Sequence, residues 1–241
     1  MTAQKIALIT GANKGLGLEI ARQLGKQGYV VVVGSRDERA GKAAVELLAK
    51  DGVSAHAVRL EVTNPDHIAS AVKFVADKFG KLDVLVNNAG ISLDWDGSPM
   101  TADKMRKTYD ANVVGPWQVT EGFLPLLAKS DDARVINHSS ILGSMGSVQT
   151  LWEQMGGHST EGYATSKAAL NMLTVLQSNK LKDKKIAVTA AHPGWVKTDL
   201  GSDAAPMEVQ DGAKTVVGLV TMAREQFPHA ALLHLGERLP W

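Results

Sequence analysis

The chain has 241 residues, 44% of them hydrophobic, with 26 lysines and arginines against 25 aspartates and glutamates. That length gives one large domain or two small ones with a sizeable core, and the even charge gives no electrostatic reason to expect nucleic acid or an acidic membrane as partner. The absence of cysteine removes disulfides and thiolate chemistry.

The first residues lead into a short apolar run that is neither a signal-peptide core nor a membrane span, so a cytoplasmic protein is expected. Apolar, β-branched runs at 6–9, 29–33, 55–60, 82–86, 134–137, 186–190 and 230–233 read as strands. Most are continuously apolar, as in strands buried on both faces. Between them, helical spacing covers 16–27, 39–50, 65–79, 102–128, 162–182 and 209–225. Asn64-Pro65 is a helix start, and Gly28, Gly52 and Gly80 are stops. Strand–helix alternation implies right-handed crossovers and a parallel sheet with helices on both faces. No linker or repeat divides the chain, so 1–241 is expected to form a single doubly wound α/β domain. The stretch 139–162, rich in Gly and Ser and without a clear period, reads as a loop. The seven histidines show no metal-ligand spacing, and no metal is expected.

Three places carry chemistry. The first apolar run passes into Thr10-Gly11-Ala12-Asn13-Lys14-Gly15-Leu16-Gly17 and then a helix. Glycines let the backbone approach a pyrophosphate, and the helix start offers N–H groups and partial positive charge. The spacing is Gly-x-x-x-Gly-x-Gly, distinct from the Gly-x-Gly-x-x-Gly of the standard dinucleotide fingerprint. The second run ends in Gly34-Ser35-Arg36-Asp37, where such a fold reads the adenine ribose. Arg36 and Lys14 suit a 2′-phosphate, which favours NADP; the competing reading leaves both cations solvated and makes Asp37 the ribose ligand. Finally, Tyr163 and Lys167 lie one helical turn apart on one face. A free phenol, with a pKa of about 10, exchanges protons poorly at neutral pH, and a nearby lysine cation favours its ionised form.

Together these pieces make the chain resemble the short-chain dehydrogenase/reductase family over essentially its whole length. The matching residues are Thr10-Gly11-x-x-x-Gly15-x-Gly17, Asn87-Asn88-Ala89-Gly90, Asn112, Ser140, Tyr163-x-x-x-Lys167 and Pro193-Gly194-x-x-x-Thr198. Carbonyl reductases look most similar, through Asn13-Lys14-Gly15, Ser35-Arg36-Asp37 and the run from Pro193 to Asp199.

The resemblance implies a seven-stranded parallel Rossmann-type sheet and a nicotinamide cofactor. It makes Tyr163 the general acid in carbonyl reduction, with Lys167 lowering its pKa and holding the nicotinamide ribose. Ser140 would hydrogen-bond the substrate oxygen, although Ser139 competes for that role. Asn112 would hold a water linking Lys167 to solvent, or else be a cap or kink residue. The turn residues Gly11, Asn13, Lys14, Gly15, Leu16 and Gly17, with Arg36, would contact the cofactor. So would Asn87, Ala89 and Gly90 after strand four, and Pro193, Val196 and Thr198 near the carboxamide. Glu61 stands where the family usually has an aspartate for the adenine amino group, followed by Val62. Between Ser140 and Tyr163 lie 22 residues, more than the family usually has; in some carbonyl reductases a longer insertion here covers the helix face used for dimerisation, so monomer and homo-oligomer stay open.

The implied activity is NADPH-dependent reduction of a ketone or aldehyde on a small, mostly apolar molecule. Alternatives are reduction of a 3-oxoacyl thioester and a non-catalytic NADP-sensing role. Trp152 and Met155 in the long segment are expected either to shape the substrate pocket or simply to pin the loop.

Overall fold

The apolar runs become β1 (Ile6–Thr10), β2 (Val30–Ser35), β3 (Ala55–Arg59), β4 (Val84–Asn87), β5 (Ala133–His138), β6 (Ile186–Ala191) and β7 (Leu232–His234). The computed structural model, which describes residues 4–95, 97–154 and 160–241, pairs these in parallel. A further strand, β8 (Glu237–Leu239), pairs antiparallel with β7, giving the order β3-β2-β1-β4-β5-β6-β7-β8. The expected seven parallel strands are thus joined by an eighth. It has no apolar run to announce it, and it is reached through Leu235-Gly236, whose φ values of 48° and 89° are those a tight two-residue hairpin demands.

The helices are α1 (Gly15–Lys26), α2 (Glu38–Lys50), α3 (Pro65–Phe79), α4 (Ala102–Tyr109), α5 (Gly115–Leu127), α6 (Val148–Gln154), α7 (Glu161–Leu181) and α8 (Val209–Thr221). Strand alternation sends Ala7, Ile9, Val31 and Val33 into a core with Ile20, Leu24, Leu48 and Val216 of α1, α2 and α8. Ile6, Leu8, Val30 and Val32 point the other way, against Ile68, Val75, Phe123 and Leu127 of α3 and α5. The long parallel crossovers thereby cover both faces.

Two expectations at the sheet's carboxyl end change. The continuous helical pattern over 102–128 is broken by a wide turn at Asp110–Val114, closed by the Gly115 N–H donating to the carbonyl of Asp110 five residues back. Gly115 sits so close to Val62 that an added Cβ would lie 2.8 Å from its Cγ2, and Pro116 has no N–H to continue the ladder. The turn carries Asn112 fully into the interior. The stretch read as loop contains α6, which continues a turn begun when Val148 N–H donates to the Ser144 carbonyl. Met155 and 156–157 lie outside the described residues.

Helix α7 turns its polar side inward. Ser166, Lys167, Asn171, Thr174, Gln177 and Ser178 are buried, while Met172 and Leu176 are 61% and 58% exposed. The inward groups meet polar residues of β4 and β5: Asn87 Nδ2 donates to Asn137 Oδ1 at 2.8 Å, and Asn137 Nδ2 donates to Thr174 and Gln177. Burial of such groups is tolerated because each amide side chain finds at least one partner, although Asn87 Oδ1 and Gln177 Nε2 are left without one.

Candidate active site

The carboxyl ends of β1, β4, β5 and β6, where ligands of open parallel sheets bind, carry the residues singled out from the sequence. Gly11 and Gly15 have φ of 65° and 53°, the left-handed region that favours glycine. A Cβ on Gly17 would stand 2.5 Å from Asn88 Nδ2 and 2.6 Å from the Gly11 carbonyl oxygen, so only glycine lets α1 start this close to β1. Lys14 precedes α1 without a side-chain cap, and the first turn has no acidic residue. The helix start therefore keeps N–H groups and partial positive charge for an anion, which fits a dinucleotide's pyrophosphate. Leu16 packs on the core beside the turn.

Asn88, which the motif contains but assigns no role of its own, stitches the turn to the next strands. Its Nδ2 donates to the Thr10 carbonyl at 2.8 Å and its Oδ1 lies 3.0 Å from His138 Nδ1. Thr10 Oγ1 accepts from the N–H groups of Asn88 and Ala89. The Asn87 side chain turns away into the buried amide ladder, donating also to Thr120, which leaves its backbone and those of Ala89 and Gly90 at the strand end. An added Cβ on Gly90 would lie 3.1 Å from Asn112 Oδ1 and 3.6 Å from Lys167 Nζ, so the catalytic candidates crowd this turn.

At the end of β5 the two serines take different partners. Ser139 Oγ donates to Asn171 Oδ1 at 2.5 Å on α7. Ser140 is engaged differently: its hydroxyl accepts from Leu142 N–H at 3.1 Å, and it acts on the Tyr163 phenol, favouring its ionised form. Lys167 Nζ donates to the His138 carbonyl at 2.7 Å and lies 5.4 Å from the Tyr163 ring centroid. Asn112 uses its amide on its neighbours: Oδ1 accepts from Ile91 N–H, and Nδ2 donates to the Ile91 carbonyl and Ser166 Oγ.

Ionisation follows burial. The Tyr163 phenol is pushed up to about 12 by desolvation, which the Ser140 hydroxyl only partly opposes. The Lys167 ammonium is pushed down to about 8 by the same effect. The ring is nearly enclosed, and desolvation outweighs the one group that favours its ionised form. His138, also enclosed, is held neutral, with its pKa lowered to about 3 chiefly by desolvation, then by the Lys167 charge.

The remaining candidates line the rim. Arg36 is exposed just past β2. Asp37 is committed to capping α2, accepting from Ala40 N–H at 2.9 Å. Glu61 is half-buried and Val62 buried beyond β3, next to Gly115. Asn13 is half-buried in the glycine turn and Pro193 in the loop after β6. That loop folds back on the glycine turn: Val196 is buried, Thr198 Cγ2 would lie 3.7 Å from a Cβ on Gly15, and Asp199 forms an ion pair with Lys14. Asp94 was missed: its carboxylate accepts from the N–H groups of Gly162 and Tyr163. A loop acid 68 residues upstream gives no local signal of that contact. Among the described residues, no cluster of His, Cys, Asp or Glu is suited to hold a metal, and no helix is long and apolar enough to cross a membrane.

The short chain dehydrogenase family model matches residues 5–209. A short-chain dehydrogenase/reductase of Saponaria officinalis is 34% identical, aligned over 92% of this chain and 91% of its own length. The 3-oxoacyl-acyl-carrier-protein reductase of Staphylococcus aureus is 31% identical over 93% and 87%. The solved structure of an NADPH-bound carbonyl reductase from chicken fatty liver superimposes with a TM-score of 0.87 at 30% identity, covering 99% of each chain.

Proposed function

Because the chain belongs to the short-chain dehydrogenase family of oxidoreductases, we propose that it uses NADPH to reduce the carbonyl of a small, mostly apolar ketone or aldehyde. The observation that carries this reading is the buried Tyr163 phenol, acted on by the Ser140 hydroxyl and with Lys167 Nζ 5.4 Å from its ring, in a fold whose first helix starts uncapped. Bound NADPH supplies the hydride. Tyr163, held protonated by burial, gives its proton to the substrate oxygen. The Ser140 hydroxyl donates a hydrogen bond to that oxygen as charge develops. The Lys167 ammonium has hydrogens beyond the one given to His138, and these stabilise the phenolate left behind. The Asn112 amide is engaged by Ile91 and Ser166.

NADP rather than NAD is supported by Arg36 and Lys14 flanking the adenosine end and by the commitment of Asp37 to its helix cap. The NADPH-bound chicken enzyme supports the same choice. The similarity to the Staphylococcus reductase favours a second reading, reduction of a 3-oxoacyl thioester. Retention of Asn112, Ser140, Tyr163 and Lys167 weighs against a sensor without turnover. Loss of NADPH absorbance with a panel of aliphatic and aromatic carbonyls, with acetoacetyl-CoA as the thioester probe, tests the proposal. Turnover confined to the thioester would select the second reading, and no oxidation with any compound would refute both.

A further inference from the structure

We propose that the Asp94-Trp95 dipeptide, in the loop after β4, is the positioning element for Tyr163. The proposal rests on Tyr163 being the proton donor.

Helix α7 has no cap of its own. Thr160 precedes it without a side-chain hydrogen bond, and the first N–H groups of a helix have no intrahelical partner. Asp94 supplies both bonds from a distant loop. Its Oδ1 accepts from Gly162 N–H at 2.8 Å and its Oδ2 from Tyr163 N–H at 2.9 Å. Ser92 Oγ donates to the same Oδ2 at 3.1 Å, which fixes the plane of the carboxylate. The negative charge also complements the partial positive charge of the helix start.

Position 162 is built for this approach. A Cβ there would lie 3.3 and 3.5 Å from the two Asp94 oxygens and 2.8 Å from Met100 Cε. The next residue completes the clamp: the Trp95 indole lies 5.7 Å from the Tyr163 ring, tilted by 45°, with its outer side exposed. The carboxylate thus holds the tyrosine's backbone and the indole limits where its ring can swing. The root of the loop is fixed in turn, since Asn112 binds both the N–H and the carbonyl of Ile91. Asn112 thus holds one end of the 91–94 backbone and Asp94, at the other end, holds Tyr163. Proton transfer needs the phenol within hydrogen-bond reach of the substrate oxygen, and a displacement of about 1 Å costs on the order of a hundredfold in rate.

The test compares Asp94→Ala and Asp94→Asn with Asn64→Ala. Asn64 caps α3 with two comparable bonds, at 2.9 and 3.1 Å, and serves as the control for cap loss alone. Asp94→Ala should lower kcat by roughly tenfold to a hundredfold while the NADPH Kd stays within about threefold. Asp94→Asn, which keeps an acceptor oxygen, should recover part of the rate. Asn64→Ala should lower Tm without that loss of kcat. A second readout needs no substrate: tyrosinate absorbance after a rapid pH jump, with Tyr163→Phe subtracted to assign the signal. Burial holds this phenol at about 12; freeing it in Asp94→Ala or Trp95→Leu should bring ionisation to lower pH. Wild-type protein inactive on every carbonyl would refute the proposed function, yet the titration would still report the clamp. If Asp94→Ala does not fold, Asp94→Asn and Trp95→Leu carry both readouts. Titration and kcat in the Asp94 variants that match the Asn64→Ala control would overturn the proposal.

Discussion

Replacing Asp199 by asparagine should tighten NADPH binding and leave NADH binding unchanged. Lys14 forms an ion pair with Asp199 across the mouth of the site, and both side chains are largely exposed. Such a surface pair is worth about 0.2–1 kcal/mol. A charge-assisted hydrogen bond from the same ammonium to a 2′-phosphate is worth roughly 1.5–3 kcal/mol. The carboxylate and the phosphate compete, so the net contribution of Lys14 falls to about 0.5–2.8 kcal/mol. Removing the competing charge returns at most about fivefold in NADPH affinity. Arg36, exposed past β2 and without that carboxylate, should contribute its full share. Arg36→Ala should therefore lose roughly tenfold to a hundredfold and exceed the loss in Lys14→Ala. Fluorescence titration with NADPH and NADH measures all three variants, and added salt should compress the differences because the groups are exposed. Weaker NADPH binding in Asp199→Asn would refute the competition. A wild type that prefers NADH would return the ribose to Asp37, whose carboxylate would then have to leave Ala40 N–H.

Two further outcomes follow from burial. Trp152 is half-exposed on α6, and Trp152→Ala should reorder kcat/KM between bulky and small carbonyls at constant NADPH affinity; a lowered Tm with unchanged ranking would make it packing only. Lys167 has its folded pKa lowered from 10.5 to about 8, so between those values the unfolded chain binds more protons than the folded one. Stability therefore gains from this group as pH rises through that window and loses as pH falls through about 8, by up to about 1.4 kcal/mol per unit. Urea unfolding at the two ends should show that gain, and Lys167→Met should abolish it; equal slopes in both proteins would contradict the burial argument.

Strong local signals carried most of the fold from the sequence. Helix α3 begins and ends where Asn64-Pro65 and Gly80 place it, because Asn64 caps it and Gly80 adopts a φ of 74°. Most of the parallel strands were legible as apolar runs buried on both faces, whereas β3, at the sheet edge, is mainly half-buried. Strand β8 was not, since Glu237 and Arg238 are polar and exposed and only the turn before them commits the chain to pair. The wide turn at Asp110–Val114 was signalled locally only by Pro116, since the close approach of Gly115 to Val62 is tertiary. In the site, the motif brought Asn87 forward, whereas the strand register sets it opposite Asn137 and turns its amide into the interior. The different partners of Ser139 and Ser140, just past β5, needed the fold to appear, and Asp94 needed it to bring residues 68 and 69 positions apart into contact.

The central claim is that Tyr163 protonates a carbonyl that receives hydride from NADPH. It is tested most directly by NADPH oxidation in wild type and Tyr163→Phe with the best carbonyl substrate, alongside the NADPH Kd of both. The ring is kept and only the hydroxyl is lost, so turnover should fall by about 10²–10⁴-fold while cofactor binding hardly changes. Near wild-type turnover in Tyr163→Phe would contradict the account.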